Sequence, residues 1–175
     1  MENREQMKAT DERIKAGNEE LRASIKVVNE QIGKLGNRFG EMVEYMVEPN
    51  LVAKFKELGF TFERSHQNTI IRDQEDRIIA EIDVFLENGD RTMVVETKAK
   101  PRDADIDEHI ERMEKLRRYA DSHNDKRKYL GAVAGVVFVE SEKTYALRKG
   151  LYVIEPSGDT FNIIEPGGDC YPREW

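Results

Sequence analysis

Three residues on two short alternating stretches have the types needed to hold and use a divalent cation. They are Asp83 in Glu81-Ile82-Asp83-Val84, and Glu96 and Lys98 in Val94-Val95-Glu96-Thr97-Lys98. Between the stretches lies Asn88-Gly89, the favoured pair for a two-residue type I′ hairpin turn. If those two residues form the loop, Asp83 faces Val94 and Glu81 faces Glu96. Side chains two apart on a strand share a face. Glu81, Asp83, Glu96 and Lys98 are then expected on one side of the sheet, with Ile82, Val84, Val95 and Thr97 on the other, under a helix. Like charges across a strand pair cost a few tenths to about 1 kcal/mol, so the pattern asks for a compensating cation. Hard oxygen donors on rigid strands suit Mg²⁺ or Mn²⁺. Such an ion polarises a phosphoryl oxygen and lowers the pKa of a bound water. Lys98 beside that water would orient it and stabilise developing negative charge. On spacing alone, a solvent-facing strand pair with alternating charge fits equally well.

The motif, the turn and the order of elements together resemble the PD-(D/E)XK, or restriction-endonuclease-like, nuclease superfamily. The resemblance covers roughly residues 36–140, and Asp83 lies 13 residues before Glu96, an ordinary spacing for that family. Ile82 stands where the family's eponymous proline would be, at a position that touches no metal. The resemblance implies Asp83, Glu96 and the backbone carbonyl of Thr97 as metal ligands, with Lys98 assisting the nucleophilic water. The hairpin geometry adds Glu81 as a neighbour. The family often adds a glutamate from the first helix. Glu44 is favoured here over Glu41, with Glu48 third, because Phe39, Met42, Val43 and Met46 bury a face whose edge Glu44 shares. An exposed helical glutamate is the alternative for each. The implied activity is Mg²⁺- or Mn²⁺-dependent hydrolysis of nucleic-acid phosphodiesters, with DNA as the expected partner. The alternative is a catalytically silent module of the same fold that serves as an interaction or assembly scaffold.

The elements that must position these residues are legible from periodicity. Asn50 to Leu58 reads as a helix stopped by Gly59. Phe60 and Phe62 alternate with polar residues, predicting a strand near 60–66. Ile78 to Leu86 and Thr92 to Ala99 read as strands, and Asp103 to Ser122 as a helix with the stripe Ile106, Ile110, Met113 and Leu116. Tyr129 to Val139 predicts a buried strand, Ser141 to Lys149 a short helix, and Leu151 to Glu155 with Thr160 to Ile164 a closing hairpin. The expected class is α/β, a mixed sheet with an α-β-β-β-α-β core, preceded by a long N-terminal helix.

Residues 1–35 form a separate expected unit, with the nuclease-like domain over 36–175. From Leu21 through Ile25, Val28, Ile32 and Leu35 the apolar steps run four, three, four and three, the seam of a coiled coil. Asn18 falls in the slot between Ile14 and Leu21. A homo-oligomer through this arm is expected, the alternative being a solvated helix. Residues 112–128 carry seven basic and three acidic residues in a chain of net charge −7. Lys115, Arg117 and Arg118 are the candidate phosphate contacts, unless the patch is only a solvated helix end. His66, His109 and His123 lack metal-ligand spacing and are expected at the surface. No apolar run is long enough to span a membrane, the polar opening Glu2-Asn3-Arg4-Glu5 leads to the expectation of no signal peptide, and the single Cys170 forms no internal disulfide. A cytoplasmic protein is expected.

Overall fold

Alternating residues from Arg64 onward build a mixed six-stranded sheet, seen in a computed structural model that describes residues 15, 17, 19–27, 51–157 and 160–175. The strands are β1 (Arg64–Arg72), β2 (Ile78–Glu87), β3 (Arg91–Lys98), β4 (Lys128–Gly135), β5 (Tyr152–Ser157) and β6 (Thr160–Ile164), lying in that order across the sheet. Neighbours β1, β2 and β3 are antiparallel, β3, β4 and β5 are parallel, and β6 returns antiparallel to β5. Parallel neighbours need long crossovers. Helix α2 (Asp103–Ser122) joins β3 to β4 and α3 (Glu140–Arg148) joins β4 to β5. Helix α1 is described over residues 51–57. The chain divides into two compact units, Met1–Arg38 and Phe39–Trp175.

Each face of the sheet has its own core. On one side Leu51 and Phe55 of α1 pack with Val84, Leu86, Met93, Val95, Ala132 and Ile154. On the other, Met113, Leu116 and Ala120 of α2 pack with Ala80, Ile82, Phe85 and Val94, and Ile106 and Ile110 with Val133, Val153 and Ala146. The strand expected near 60–66 begins instead at Arg64. Helix α1 ends in a Schellman cap: Gly59, at φ +85°, donates to Lys56 O, and Phe60 donates to Phe55 O. That reversal feeds Phe60 and Phe62 beneath the edge of Phe55, with ring centroids at 5.7 Å in both pairs. Their alternation reflects an extended segment pressed onto the core, not a ladder. The strand expected to reach Val139 stops at Gly135, and Val137 and Val139 are exposed. Residues 19–27 are helical, with Leu21 and Ile25 exposed, while Ile14, Asn18, Val28, Ile32 and Leu35 lie outside the described residues. No helix among the described residues is long and apolar enough to cross a membrane. Trp175 exchanges both backbone hydrogen bonds with Tyr129, covering the edge of β4 that β5 reaches only from Ala132.

One polar network ties the start of β4 to the end of β2. Arg127 pairs with buried Glu87 through Nη1 and with Asp125 through Nη2 at 2.6 Å. Glu87 also receives Arg64 Nε at 3.0 Å, and Tyr129 Oη donates to Asp125 Oδ2 at 3.0 Å. The Arg127 hydrogen bond is the largest influence on Asp125 and, against the opposing effect of burial, brings its carboxyl down to about 2. Its folded pKa thus lies below the unfolded value of 3.8. The contribution is complete above that unfolded value and lost as pH falls through the folded one. Urea midpoints measured from pH 5 to pH 2 should therefore fall less steeply in Asp125→Asn than in the wild type below about pH 4.

Candidate active site

Asn88 sets the geometry of the β2–β3 hairpin, by a route other than a type I′ turn. Its Oδ1 accepts the backbone N–H of Asp90 at 2.9 Å and of Arg91 at 2.7 Å, while its own N–H donates to Arg91 O at 3.0 Å. Gly89 does not take a positive φ. This Asx turn puts Gly89 and Asp90 at the tip and moves the register by one residue on each strand. Val84 pairs with Val95, and Phe85 with Val94. The same register carried one step further sets Asp83 across from Glu96, where the expected partners were Val94 for Asp83 and Glu81 for Glu96.

The ladder ends at Val84 and Val95, and Asp83 takes its place. Thr97 donates its backbone N–H to Asp83 Oδ2 at 2.7 Å and its hydroxyl to the same oxygen at 2.9 Å. Accepting a backbone N–H of the neighbouring strand puts the Asp83 carboxylate near the sheet plane, in the fork where the strands part. The alternation of β2 slips at the same point: Ala80 and Ile82 pack on the α2 side, whereas Val84 and Leu86 pack on the α1 side. Across from Asp83 on β1, Asn68 sits at φ +49° and drops out of the register between Gln67 and Thr69. Asparagine tolerates that conformation, so both strands distort where a carboxylate must leave the regular face. Ile82 and Val84 therefore do not share the single apolar face expected of them. Glu81 is exposed between Ala80 and Ile82, and neither the hydrogen bonds from Thr97 to Asp83 nor the ion pairs of Glu96 with Lys98 and Arg112 involve it.

Glu96 faces α2 and is only 4% exposed. Lys98 Nζ lies 2.9 Å from its Oε1, and Arg112 Nη1 reaches its Oε2 from the middle of α2. A buried carboxylate needs such partners. Burial alone would lower the pKa of the Lys98 ammonium. The hydrogen bond to Glu96, with the charges of Glu96, Asp105 and Asp83 behind it, outweighs burial and holds it above the ordinary lysine value. His109, expected at the surface, is wholly buried on the same helix. Burial, reinforced by the nearby Arg112 charge, pushes its imidazole down to about 3, so it is neutral. Gly131 makes room for it: a Cβ there would stand 3.4 Å from His109 Nε2 and 2.5 Å from Leu151 Cδ2. The spacing of His109 to the α2 stripe, one turn before Met113, was the available signal. Arg112 was legible only as one of seven basic residues.

Glu41, Glu44 and Glu48 lie outside the described residues. Among the described residues, no group of three or more His, Cys, Asp or Glu side chains is arranged to hold a metal. Of the expected ligands, Asp83 is held by Thr97, and Glu96 by Lys98 and Arg112.

The basic patch divides. Arg117 turns inward, donating to Arg127 O at 2.7 Å and Asp125 O at 2.5 Å, with its guanidinium 5.2 Å from the Tyr129 ring centre. Arg112, Arg127 and Lys128 are also engaged in internal ion pairs. Lys115 and Arg118 are exposed and line an open groove of about 710 Å³ with Arg77, Tyr119 and His123. The Tyr119 and His123 rings lie 4.1 Å apart. If nucleic acid follows this groove, the Lys115→Ala, Arg118→Ala double variant should lower the slope of log affinity against log salt by about two. Arg117→Ala should cost stability and leave that slope unchanged, as filter binding at several salt concentrations would show.

The chain is an α/β protein with a mixed sheet; it matches no protein-family model, curated protein or solved structure.

Proposed function

We propose that the chain is a Mg²⁺- or Mn²⁺-dependent phosphodiesterase acting on nucleic acid, most simply an endonuclease on DNA, built on a restriction-endonuclease-like core. What supports this reading is that the β2–β3 register sets Asp83 across from Glu96, with Lys98 paired to Glu96, where the ladder opens. The succession α1, β1, β2, β3, α2, β4 agrees with the core that the motif implies. Two carboxylates and a backbone carbonyl are the hard oxygen donors that Mg²⁺ prefers, so the residues present fit that ion. Asp83, Glu96 and the Thr97 carbonyl would hold it, and when bound it would polarise a phosphoryl oxygen and acidify a water. Lys98 supplies a fixed positive charge and a hydrogen-bond donor beside that point. Arg118 and Lys115 offer phosphate contacts along α2. The N-terminal arm, with Leu21 and Ile25 exposed four residues apart, would pair copies of the chain in the cytoplasm.

The test is conversion of supercoiled plasmid to nicked or linear forms in millimolar Mg²⁺ or Mn²⁺. Cleavage is expected for the wild type and lost in Asp83→Ala. Cleavage that survives both Asp83→Ala and Lys98→Ala would remove the assignment. One observation favours the scaffold alternative: both oxygens of Glu96 are already taken by internal cations. A fold does not fix its function. Wild-type protein that neither cleaves nor binds divalent metal would support the scaffold.

A further inference from the structure

We propose that Arg112 is a resident counter-cation of the candidate metal site, a positioning residue that holds Glu96 in place and competes with the divalent ion for it. The inference rests on the metal-site reading above. Glu96 is buried, and two cations from its own chain meet its two oxygens. Lys98 comes from the same strand, two residues away. Arg112 comes from a separate element and holds the oxygen, Oε2, that Lys98 does not. Counted together, Asp83, Glu96, Lys98 and Arg112 have no net charge. A divalent ion added to that set leaves an excess of two positive charges, relieved most directly if one resident cation withdraws.

Arg112 has a second acid within reach on its own helix. Its other terminal nitrogen, Nη2, already lies 3.6 Å from Glu108 Oε1, one helical turn back, and the Glu108 side chain is 69% exposed. Inward retreat is closed, because His109 fills the buried face of α2 against Gly131. Glu108 therefore offers the guanidinium a place outward along the helix. Glu96 is kept in the rotamer that faces the site, and the ion takes it over by exchange and not by ordering a free side chain.

The experiment is calorimetric titration of the full chain with Mn²⁺. Arg112→Met should raise the affinity at least about tenfold, since a positive charge a few ångströms from the ion is removed. Arg112→Lys should stay within about threefold of wild type, because the charge is retained. Glu108→Gln, on an exposed residue that does not threaten the fold, should act in the opposite direction. With no acid to receive Arg112, Mn²⁺ affinity should fall about two- to fivefold, the size of an exposed ion pair. A purely structural Arg112 would lower Mn²⁺ affinity, or leave it unchanged, in both Arg112→Met and Arg112→Lys. If Arg112→Met binds no more tightly than wild type while Glu96→Gln abolishes binding, the metal site stands and the role of Arg112 is overturned. If Glu108→Gln binds as well as wild type or better, the retreat toward Glu108 is overturned. If wild type, Arg112→Met and Arg112→Lys all fail to bind Mn²⁺ at millimolar concentration, the metal site itself fails and the inference with it.

Discussion

Lys98→Ala is expected to lower plasmid cleavage by about 10²–10⁴-fold while leaving the fold in place and the metal affinity no weaker. The size follows from the role. In the proposed role, a charged donor beside the reacting water and the developing phosphorane charge would act in the transition state more than in the ground state, so its loss would fall on the rate. The fold should survive because the Lys98 side chain is 39% exposed and Arg112 still pairs with Glu96 after its removal. Metal affinity should hold or rise, because one positive charge has left the neighbourhood of the ion. Asp83→Ala should differ in kind. It would remove a proposed metal ligand and would also strand the Thr97 backbone N–H and hydroxyl, both of which donate to the same oxygen. Single-turnover cleavage with Mn²⁺ titrated in each variant separates the two: Asp83→Ala should fail to saturate, and Lys98→Ala should saturate at a slow plateau. A Lys98→Ala plateau within about threefold of wild type would deny the lysine any part in the chemistry.

Phe55→Ala is expected to cost about 3–5 kcal/mol of stability, the range for deleting a wholly buried aromatic ring. Phe55 has no exposed surface and meets Phe60, Phe62 and Tyr152 edge to face, with ring centroids at 5.7, 5.7 and 6.0 Å. The same core includes Val95, the residue before Glu96 on β3, so the loss lies beneath the strand that presents the site. Urea unfolding followed by circular dichroism gives the value. Phe55→Leu should recover most of it, because volume and apolarity are largely kept. A loss below about 1 kcal/mol for Phe55→Ala would mean that α1 is not the cover of this face.

These two expectations come from different layers of information. Phe55 was legible from the chain, as a helical apolar residue shortly before a glycine stop. The consequence, that Phe60 and Phe62 fold back beneath it and delay the strand to Arg64, depends on the reversal at Gly59. Lys98 and Glu96 were legible as a strand alternation, and Asp83 as the acid on the preceding strand. Their relation was not, because Asn88 could make either a two-residue loop with Gly89 or an Asx turn around Gly89 and Asp90. The second occurs, and its register brings Asp83 opposite Glu96.

By itself the sequence determined the kinds of element and most of their ends, because periodicity, helix stops and turn residues act over a few neighbouring positions. Helix α2 spans Asp103–Ser122, as its stripe and acidic first turn require. The sequence also determined that acids and a lysine would gather on β2 and β3. Tertiary structure alone decided which cations meet those acids. Arg112 and Arg117 lie on one helix with similar neighbours. Yet one reaches Glu96, 16 residues away, and the other supports the 125–127 loop. His109 is buried for the same reason. The way α2 lies on the sheet fixes which of its polar side chains points at β3, and no local pattern carries that angle. So the feature with the most consequence for chemistry, a buried glutamate held between Lys98 and Arg112, is a property of packing between elements.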